Sequence, residues 1–293
     1  MAEPSQWTEA ILRVRSPLQP IATNIAPQLQ SLRDIEAVIF DVYGTLIVSG
    51  SGDVGSADGS RHDQAFQQAI QSLKLSEKIG DEFHIENLLT EIRETNERHQ
   101  SDECPKPEID IVDTWLRALE QHGITLDVET CVRLACEYEA RANPTWPMPG
   151  AVELLRRIGQ SQQRLGIVSN AQLFTLPLVE SLLDPPQLTT AGFDLSICIF
   201  SNRFRQAKPG PRLFDALSSG LSAQGIRPHQ AIYVGNDMLN DVWAASQAGL
   251  RTAWFAGDQR SCRDRQDDPR CQSLRPDVVL TSLLQLLQCF EIG

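Results

Sequence analysis

Several short apolar runs in this chain each give way to a side chain that can do chemistry. AVIF leads to Asp41, RLGIV to Ser169 and Asn170, and AIYVG to Asn236, Asp237 and then Asp241, while Lys208 stands just past LSICIF. One such residue alone is usually a turn former or a helix cap. Together they suggest a reaction. A carboxylate such as Asp41 can attack an electrophile and form an ester that water later opens, which divides a hard displacement into two easier steps. Lys208 would neutralise and hold that carboxylate. Ser169 and Asn170 offer hydrogen bonds to a transferred group, and fixed donors in a water-poor cleft stabilise developing charge strongly. If the group is phosphoryl, two like charges must approach and a hard cation is needed; Mg²⁺ takes oxygen ligands and keeps some positions for phosphate and water. Asp237 and Asp241, in an Asp-x-x-x-Asp spacing, would with Asp41 gather three carboxylates near one lysine, an excess of negative charge that itself calls for a cation.

Bringing these residues together requires elements that converge. The apolar runs read as strands over 37–47, 164–170, 195–202, 231–237, 252–257 and 277–281, and they alternate with helical patterns near 150–159, 173–183, 211–220 and 240–248. This alternation predicts a doubly wound α/β fold with a parallel sheet covered on both faces, in which strand C-termini form the site. Between 63 and 141 the pattern is helical, with Phe66, Ala69, Ile70 and Leu73, then Ile85, Leu88, Leu89 and Ile92, then Val112, Trp115 and Leu119, then Val128, Cys131, Ala135 and Tyr138. That block interrupts the strand-rich chain, so it reads as an inserted helical cap over 61–147. Gly-rich residues 49–60 and Pro-rich residues 142–150 are its hinges, with core segments at 34–60 and 148–293. Residues 1–33, with Pro4, Pro17, Pro20 and Pro27, read as an irregular extension.

Composition narrows the classes of partner. The net charge of −12 at pH 7 disfavours nucleic acid and anionic membranes, which are held by clustered Lys and Arg. The seven cysteines contain no Cys-x-x-Cys pair, so reduced, structural thiols and a cytoplasmic setting are expected, without a zinc site or a disulfide framework. No apolar run near the N-terminus has the length of a signal peptide core or a membrane span. Gly50-x-Gly52-x-x-Gly55 has the dinucleotide-binding spacing but lies past the strand and before polar residues, which removes the strand and helix that motif needs. Arg203, Arg205 and Arg212 around Lys208 suit either an anionic substrate or a solvated basic face. The histidines at 62, 84, 99, 122 and 229 lack ligand spacing, and Trp115 sits at core spacing in the cap.

With these stretches in hand, the chain resembles the haloacid dehalogenase superfamily in its branch with a type-one helical cap. The resemblance rests on DVYGTL over 41–46, with Asp41 and Thr45, on SN at 169–170, on Lys208 in AKPGPRLFDAL, and on GNDMLND over 235–241. It covers 35–58 and 148–285, with the helical block at the position of the cap. It implies Asp41 as nucleophile, a small anionic substrate, and Mg²⁺ held by the Asp41 side chain, the backbone carbonyl of Tyr43 and an acid of the last motif.

Tyr43 divides the possible reactions. In the phosphatases of the superfamily this place holds a second aspartate that protonates the leaving group, and a general acid of that kind contributes roughly 10²–10⁴-fold. A tyrosine here is what the 2-haloacid dehalogenases show, where halide leaves without a proton and no metal is used. Asp237 and Asp241 lean towards the metal-dependent phosphatases. A second alignment sets Asn236 on the first acid position and leaves Asp241 alone to activate water. The expectation is Mg²⁺-dependent hydrolysis of a phosphomonoester; metal-free dehalogenase chemistry is the alternative, and a non-catalytic binding module the third reading.

Overall fold

The computed structural model describes residues 10–50, 59–183 and 186–291. Gly52 and Gly55 of the glycine spacing lie outside the described residues. Strand β1 (Ala37–Phe40) is followed by β2 (Ile47–Ser49), helices α1 (Gly59–Ser72), α2 (Ile85–His99), α3 (Ile111–Glu120) and α4 (Val128–Ala142), and β3 (Thr145–Pro147). Then come α5 (Ala151–Gly159), β4 (Arg164–Ser169), α6 (Thr175–Glu180), β5 (Phe193–Phe200), α7 (Arg212–Ala223), β6 (Ala231–Gly235), β7 (Arg251–Phe255) and β8 (Val278–Leu280). The main sheet has the order β5-β4-β1-β6-β7-β8, and all its pairings are parallel.

Side-chain alternation explains why β1 is the centre. Val38 and Phe40 face one core with Leu154, Leu155 and Ile158 of α5, whereas Ala37 and Ile39 face the other with Leu213, Leu217 and Leu221 of α7. A strand covered on both sides reads as an unbroken apolar run, as AVIF does. Its neighbours β4 and β6 leave in opposite directions through the sheet, so the C-terminal tip of β1 is the topological switch point where such folds bind ligands.

The helical block stands between β2 and β3 and has a core of its own. Trp115 is fully buried there, with Phe66, Phe83 and Tyr138 at ring-centroid distances of 6.0, 6.1 and 5.5 Å. Asp110 caps α3 by accepting from the amides of Val112 and Asp113, and Asp127 caps α4 by accepting from that of Thr130. Each cap contributes about 1 kcal/mol.

Two features differ from the sequence expectation. The apolar run over 37–47 is two strands, because the chain turns at 42–46 around the Val42 carbonyl, which accepts from the amides of Thr45, Leu46 and Ile47. The second strand, β2, then pairs antiparallel with β3, so the Pro-rich return from the cap is itself a strand. The run 195–202 ends as strand at Phe200, and Ser201 begins a helical turn.

Residues 10–33 pack on the core. Ile11 joins its apolar cluster, the Arg13 guanidinium pairs with Glu137 of α4, and Gln28 exchanges both backbone hydrogen bonds with Val279 of β8 at 2.9 and 2.8 Å.

The cap also meets the core away from its hinges. The loop between α2 and α3 lies antiparallel to residues 205–207, with Ala207 N donating to Lys106 O (2.8 Å) and Glu108 N to Arg205 O (3.2 Å). The Glu108 carboxylate accepts from Ser201 Oγ (2.6 Å) and Gln172 Nε2 (2.7 Å), and Arg205 faces Asp110 at 3.5 Å. Burial pushes the Glu108 carboxyl above the ordinary carboxylate range.

Candidate active site

The tips of β1, β4 and β6 and the loop after β5 meet in a cleft of about 70 Å³ lined by residues that include Asp41, Asn170, Lys208, Asn240, Asp241 and Arg263. Asp41 extends β1 by one residue, its amide donating to Val234 O at 2.9 Å. Asp41 Oδ1 accepts from Ser169 Oγ (3.0 Å) and from Lys208 Nζ (2.8 Å). Its other oxygen, Oδ2, accepts no hydrogen bond among the described residues, which leaves one oxygen pinned and one open to the cleft.

Lys208 is buried and fully committed. Its ammonium donates to Asp41 Oδ1, to Asp241 Oδ1 (2.6 Å), to Tyr233 Oη (2.9 Å) and to Val168 O (3.3 Å). Burial alone would lower the lysine pKa; the carboxylates of Asp241 and Asp41 outweigh it and hold the ammonium above its ordinary value. Burial pushes the Asp241 carboxyl up to about 6 in spite of Lys208, with Asp41 and Asp237 adding to the rise. Asn170 Oδ1 accepts from the Lys208 amide at 2.7 Å, so the residue expected to meet substrate also sets the loop that delivers the lysine.

Gly44 makes the turn after Asp41 possible. It has φ +80°, and a Cβ there would lie 2.5 Å from Ser261 Cβ and 2.8 Å from Asn236 Nδ2. Thr45 Oγ1 donates to Asn236 Oδ1 (3.1 Å), and Asn236 Nδ2 donates to Ser261 O (2.6 Å). Thr45 therefore joins the nucleophile turn to the tip of β6.

Tyr43 turns away from the role of an acid. Its hydroxyl lies 3.0 Å from Thr175 Oγ1, and burial, with Glu139 and Asp41 nearby, pushes its pKa far above the ordinary phenol value. A phenol that holds its proton so firmly is a poor general acid. The Tyr43 backbone carbonyl accepts no hydrogen bond among the described residues and remains available as an oxygen ligand.

The structure separates the two acids of the last motif. Asp237 caps the helical segment that follows, accepting from the amides of Leu239 (2.8 Å) and Asn240 (3.1 Å), from Asn240 Nδ2 (3.0 Å), and from Arg265 Nη2 (2.6 Å). Both its oxygens are taken, which departs from the expectation of a metal ligand, because a helix start and an arginine satisfy the charge instead. Asn236 stands at the tip of β6. Asp241 lies on a wide π-helical turn (Met238–Trp243) in which Asp237 O accepts from the amides of both Asp241 (3.0 Å) and Val242 (3.2 Å). Asp241 Oδ2 accepts from the Asp237 amide at 2.9 Å.

The remaining oxygen donors suit a hard cation. Asp41, Tyr43 and Asn240 all line the cleft, and Asn240 Oδ1 is buried without a hydrogen-bond partner among the described residues. An all-oxygen set of this kind matches Mg²⁺.

Sequence patterns missed three residues here. Tyr233 lies in mid-strand, where its hydroxyl donates to Val168 O (2.7 Å) and meets Asp241 Oδ1 (3.1 Å). Ser261 and Arg263 come from the loop after β7, whose only signal is four arginines within 260–270. Arg203, Arg205 and Arg212 do not line the cleft; Arg205 serves the cap contact, Arg203 stacks on Phe200, and Arg212 donates to Phe204 O.

Comparison with known proteins follows the same lines. A family model described as haloacid dehalogenase-like hydrolase matches residues 35–249. The phosphoglycolate phosphatase of Salmonella choleraesuis is 28% identical over 234 residues, covering 75% of this chain and 81% of the relative. The glyceraldehyde 3-phosphate phosphatase of Pyrococcus furiosus is 31% identical over 84 residues, 29% of this chain and 32% of the relative, so that match spans about a third of its length. The crystal structure of a 2-haloacid dehalogenase from Pseudomonas syringae superposes with a TM-score of 0.54 at 19% identity, covering 87% of this chain and 97% of that one. That of a phosphatase from Thermococcus onnurineus superposes with a TM-score of 0.50, also at 19% identity and with the same coverage. Both share the fold. Among the described residues no helix is long and apolar enough to cross a membrane.

Proposed function

Because this chain belongs to the haloacid dehalogenase-like hydrolase family, we propose that it hydrolyses a phosphomonoester of a small metabolite through an aspartyl-phosphate on Asp41. The observation that carries this reading is the asymmetry of the Asp41 carboxylate, with Oδ1 fixed by Ser169 and Lys208 and Oδ2 open to the cleft. Oδ2 attacks phosphorus as the P–O bond to the leaving group breaks, the departing alkoxide takes its proton from solvent, and water then attacks the acyl phosphate to release inorganic phosphate and restore the carboxylate. Ser169 and Lys208 hold the attacking group in line, so its orientation costs nothing further at the moment of reaction. Asn170, fixed by the Lys208 amide, keeps its side-chain NH₂ for a phosphoryl oxygen. Mg²⁺, with Asp41, the Tyr43 carbonyl and Asn240 as its protein ligands, would neutralise charge on the phosphoryl oxygens. Asp241 keeps Lys208 charged and in place. The helical unit over 61–147 serves as the lid and limits the substrate to a small anionic molecule. The seven free cysteines suit a reducing, cytoplasmic setting.

The names of the two sequence relatives, both phosphatases, agree with phosphate ester chemistry. The second reading, metal-free dehalogenase-type hydrolysis, draws on Tyr43, which leaves the leaving group without an adjacent acid. One assay separates the two. Phosphate release from 4-nitrophenyl phosphate should need Mg²⁺, stop with chelator, and disappear in Asp41→Asn. Chelator-indifferent halide release from a 2-haloacid would support the second reading, and retention of more than a few per cent of activity in Asp41→Asn would remove Asp41 from the role of nucleophile.

A further inference from the structure

The segment after β7, residues 256–277, carries five arginines, and three have carboxylate partners. Arg260 pairs with Asp258 at 3.3 Å, Arg265 with Asp237 at 2.6 Å and Arg270 with Asp268 at 2.7 Å. Arg263 has no carboxylate within reach among the described residues, and it is the one that lines the cleft.

The backbone fixes Arg263 beside the β6 tip. Its amide donates to Asn236 O (3.0 Å), and its carbonyl accepts from the Met238 amide (2.8 Å), a two-bond clamp around Asp237. The side chain is braced from one end only, with Nη1 donating to Arg260 O (2.8 Å) and Cys262 O (3.2 Å). Nε and Nη2 donate to nothing among the described residues. Those two nitrogens form the edge of a guanidinium that binds carboxylate or phosphate through two parallel hydrogen bonds.

Arg263 is also the cleft cation that has no carboxylate of its own among the described residues. The cations lining the cleft are Lys208 and Arg263; Lys208 is spent on Asp41 and Asp241, and Asp237 is satisfied by Arg265. Arg263 thus presents a guanidinium without a carboxylate partner and with an open bidentate edge, in the same cleft as the nucleophile. It also lines an adjoining cavity of about 380 Å³, room for the rest of a small molecule.

We infer that Arg263 is the specificity-determining residue for a second anionic group on the substrate, a carboxylate or a further phosphate a few bonds from the scissile ester. This rests on the hydrolase reading above for what happens to the substrate, but the anion site can be tested without turnover. The probes are phosphonoacetate, which adds a carboxylate to a phosphonate, methylenebisphosphonate, which adds a second phosphonate, and ethylphosphonate, which adds neither. Thermal unfolding of the full chain in Mg²⁺ should show greater stabilisation by at least one of the doubly anionic probes than by ethylphosphonate. Phosphonoacetate leading would identify a carboxylate; methylenebisphosphonate leading would identify a second phosphate. Arg263→Gln should reduce the apparent affinity for the favoured probe at least tenfold relative to ethylphosphonate, and Arg260→Gln, in the same loop but paired with Asp258, should leave that ratio unmoved. Equal stabilisation by all three probes, or an unchanged ratio in Arg263→Gln, overturns the inference. Failure to hydrolyse 4-nitrophenyl phosphate would count against the hydrolase reading alone, since the affinity ratio is measured on probes that are not cleaved.

Discussion

Replacing Glu108 with alanine should loosen the cap at its contact with the core. The carboxylate accepts from Ser201 Oγ, directly after β5, and from Gln172 Nε2, three residues past the end of β4. After truncation Gln172 keeps its bond to Ile109 O (3.0 Å) and Ser201 still accepts from the Ala171 amide (2.8 Å), so neither is stranded. Each hydrogen bond to a charged acceptor contributes about 1.5–3 kcal/mol, and relief of the buried charge offsets part of the loss; the net is about 2 kcal/mol. At about 1.4 kcal/mol per factor of ten, the detached fraction should rise ~30-fold. Hydrogen exchange resolves this at the amides of Glu108 and Ala207, which bond across the contact. The sign of the pH dependence follows from the raised Glu108 pKa, set by burial against the pull of Ser201, Gln172 and Arg205. A carboxyl group whose pKa is raised on docking binds protons better when docked, so docking is strongest below its free value and weakens as pH rises through the docked value. Protection corrected for intrinsic exchange should therefore fall between acid and neutral pH in the wild type and stay flat in Glu108→Gln. Protection in Glu108→Ala within threefold of wild type would refute the claim that this carboxylate holds the cap.

Two further outcomes follow from the turn at Asp41. Gly44→Ala should cost about 2 kcal/mol or more in chemical denaturation, from the positive φ and the close approach to Ser261, and Ser261→Gly in the same chain should recover part of it. If Tyr43 occupies the place of a missing acid, Tyr43→Asp should raise turnover of alkyl phosphates more than that of 4-nitrophenyl phosphate, whose leaving group departs without a proton. An equal response from both esters in steady-state kinetics would show that residue 43 is not that position.

The residues legible in the sequence were those that a strand delivers. Asp41, Ser169, Asn170 and Asp241 come together because parallel strands align their C-termini, and that follows from apolar runs and their order alone. The helical block was equally legible, since apolar sets such as Phe66, Ala69 and Ile70, or Val112, Trp115 and Leu119, repeat at helical spacing and are buried in its core. Residues whose partners are set by packing between distant segments were not. Glu108 meets Ser201 93 positions away, and Tyr233 meets Val168 65 positions away; neither separation leaves a local pattern. Arg263 sits in a loop without periodicity among arginines that pair elsewhere, so sequence offers no reason to choose it. Asp237 shows that an Asp-x-x-x-Asp spacing serves a helix cap as well as a cation, since here it accepts from the Leu239 and Asn240 amides.

The pairing of Gln28 with Val279 bears on how this protein avoids its own kind. β8 is the outermost strand on its side of the sheet, and a bare outer strand offers unpaired amides and carbonyls as a template for another chain. Here the N-terminal segment satisfies Val279 from outside in both directions, while a single isolated bridge is too short to propagate into a further strand. The extension thus acts as a built-in blocker of edge-to-edge association. Its removal would leave that edge open to a second copy of the chain.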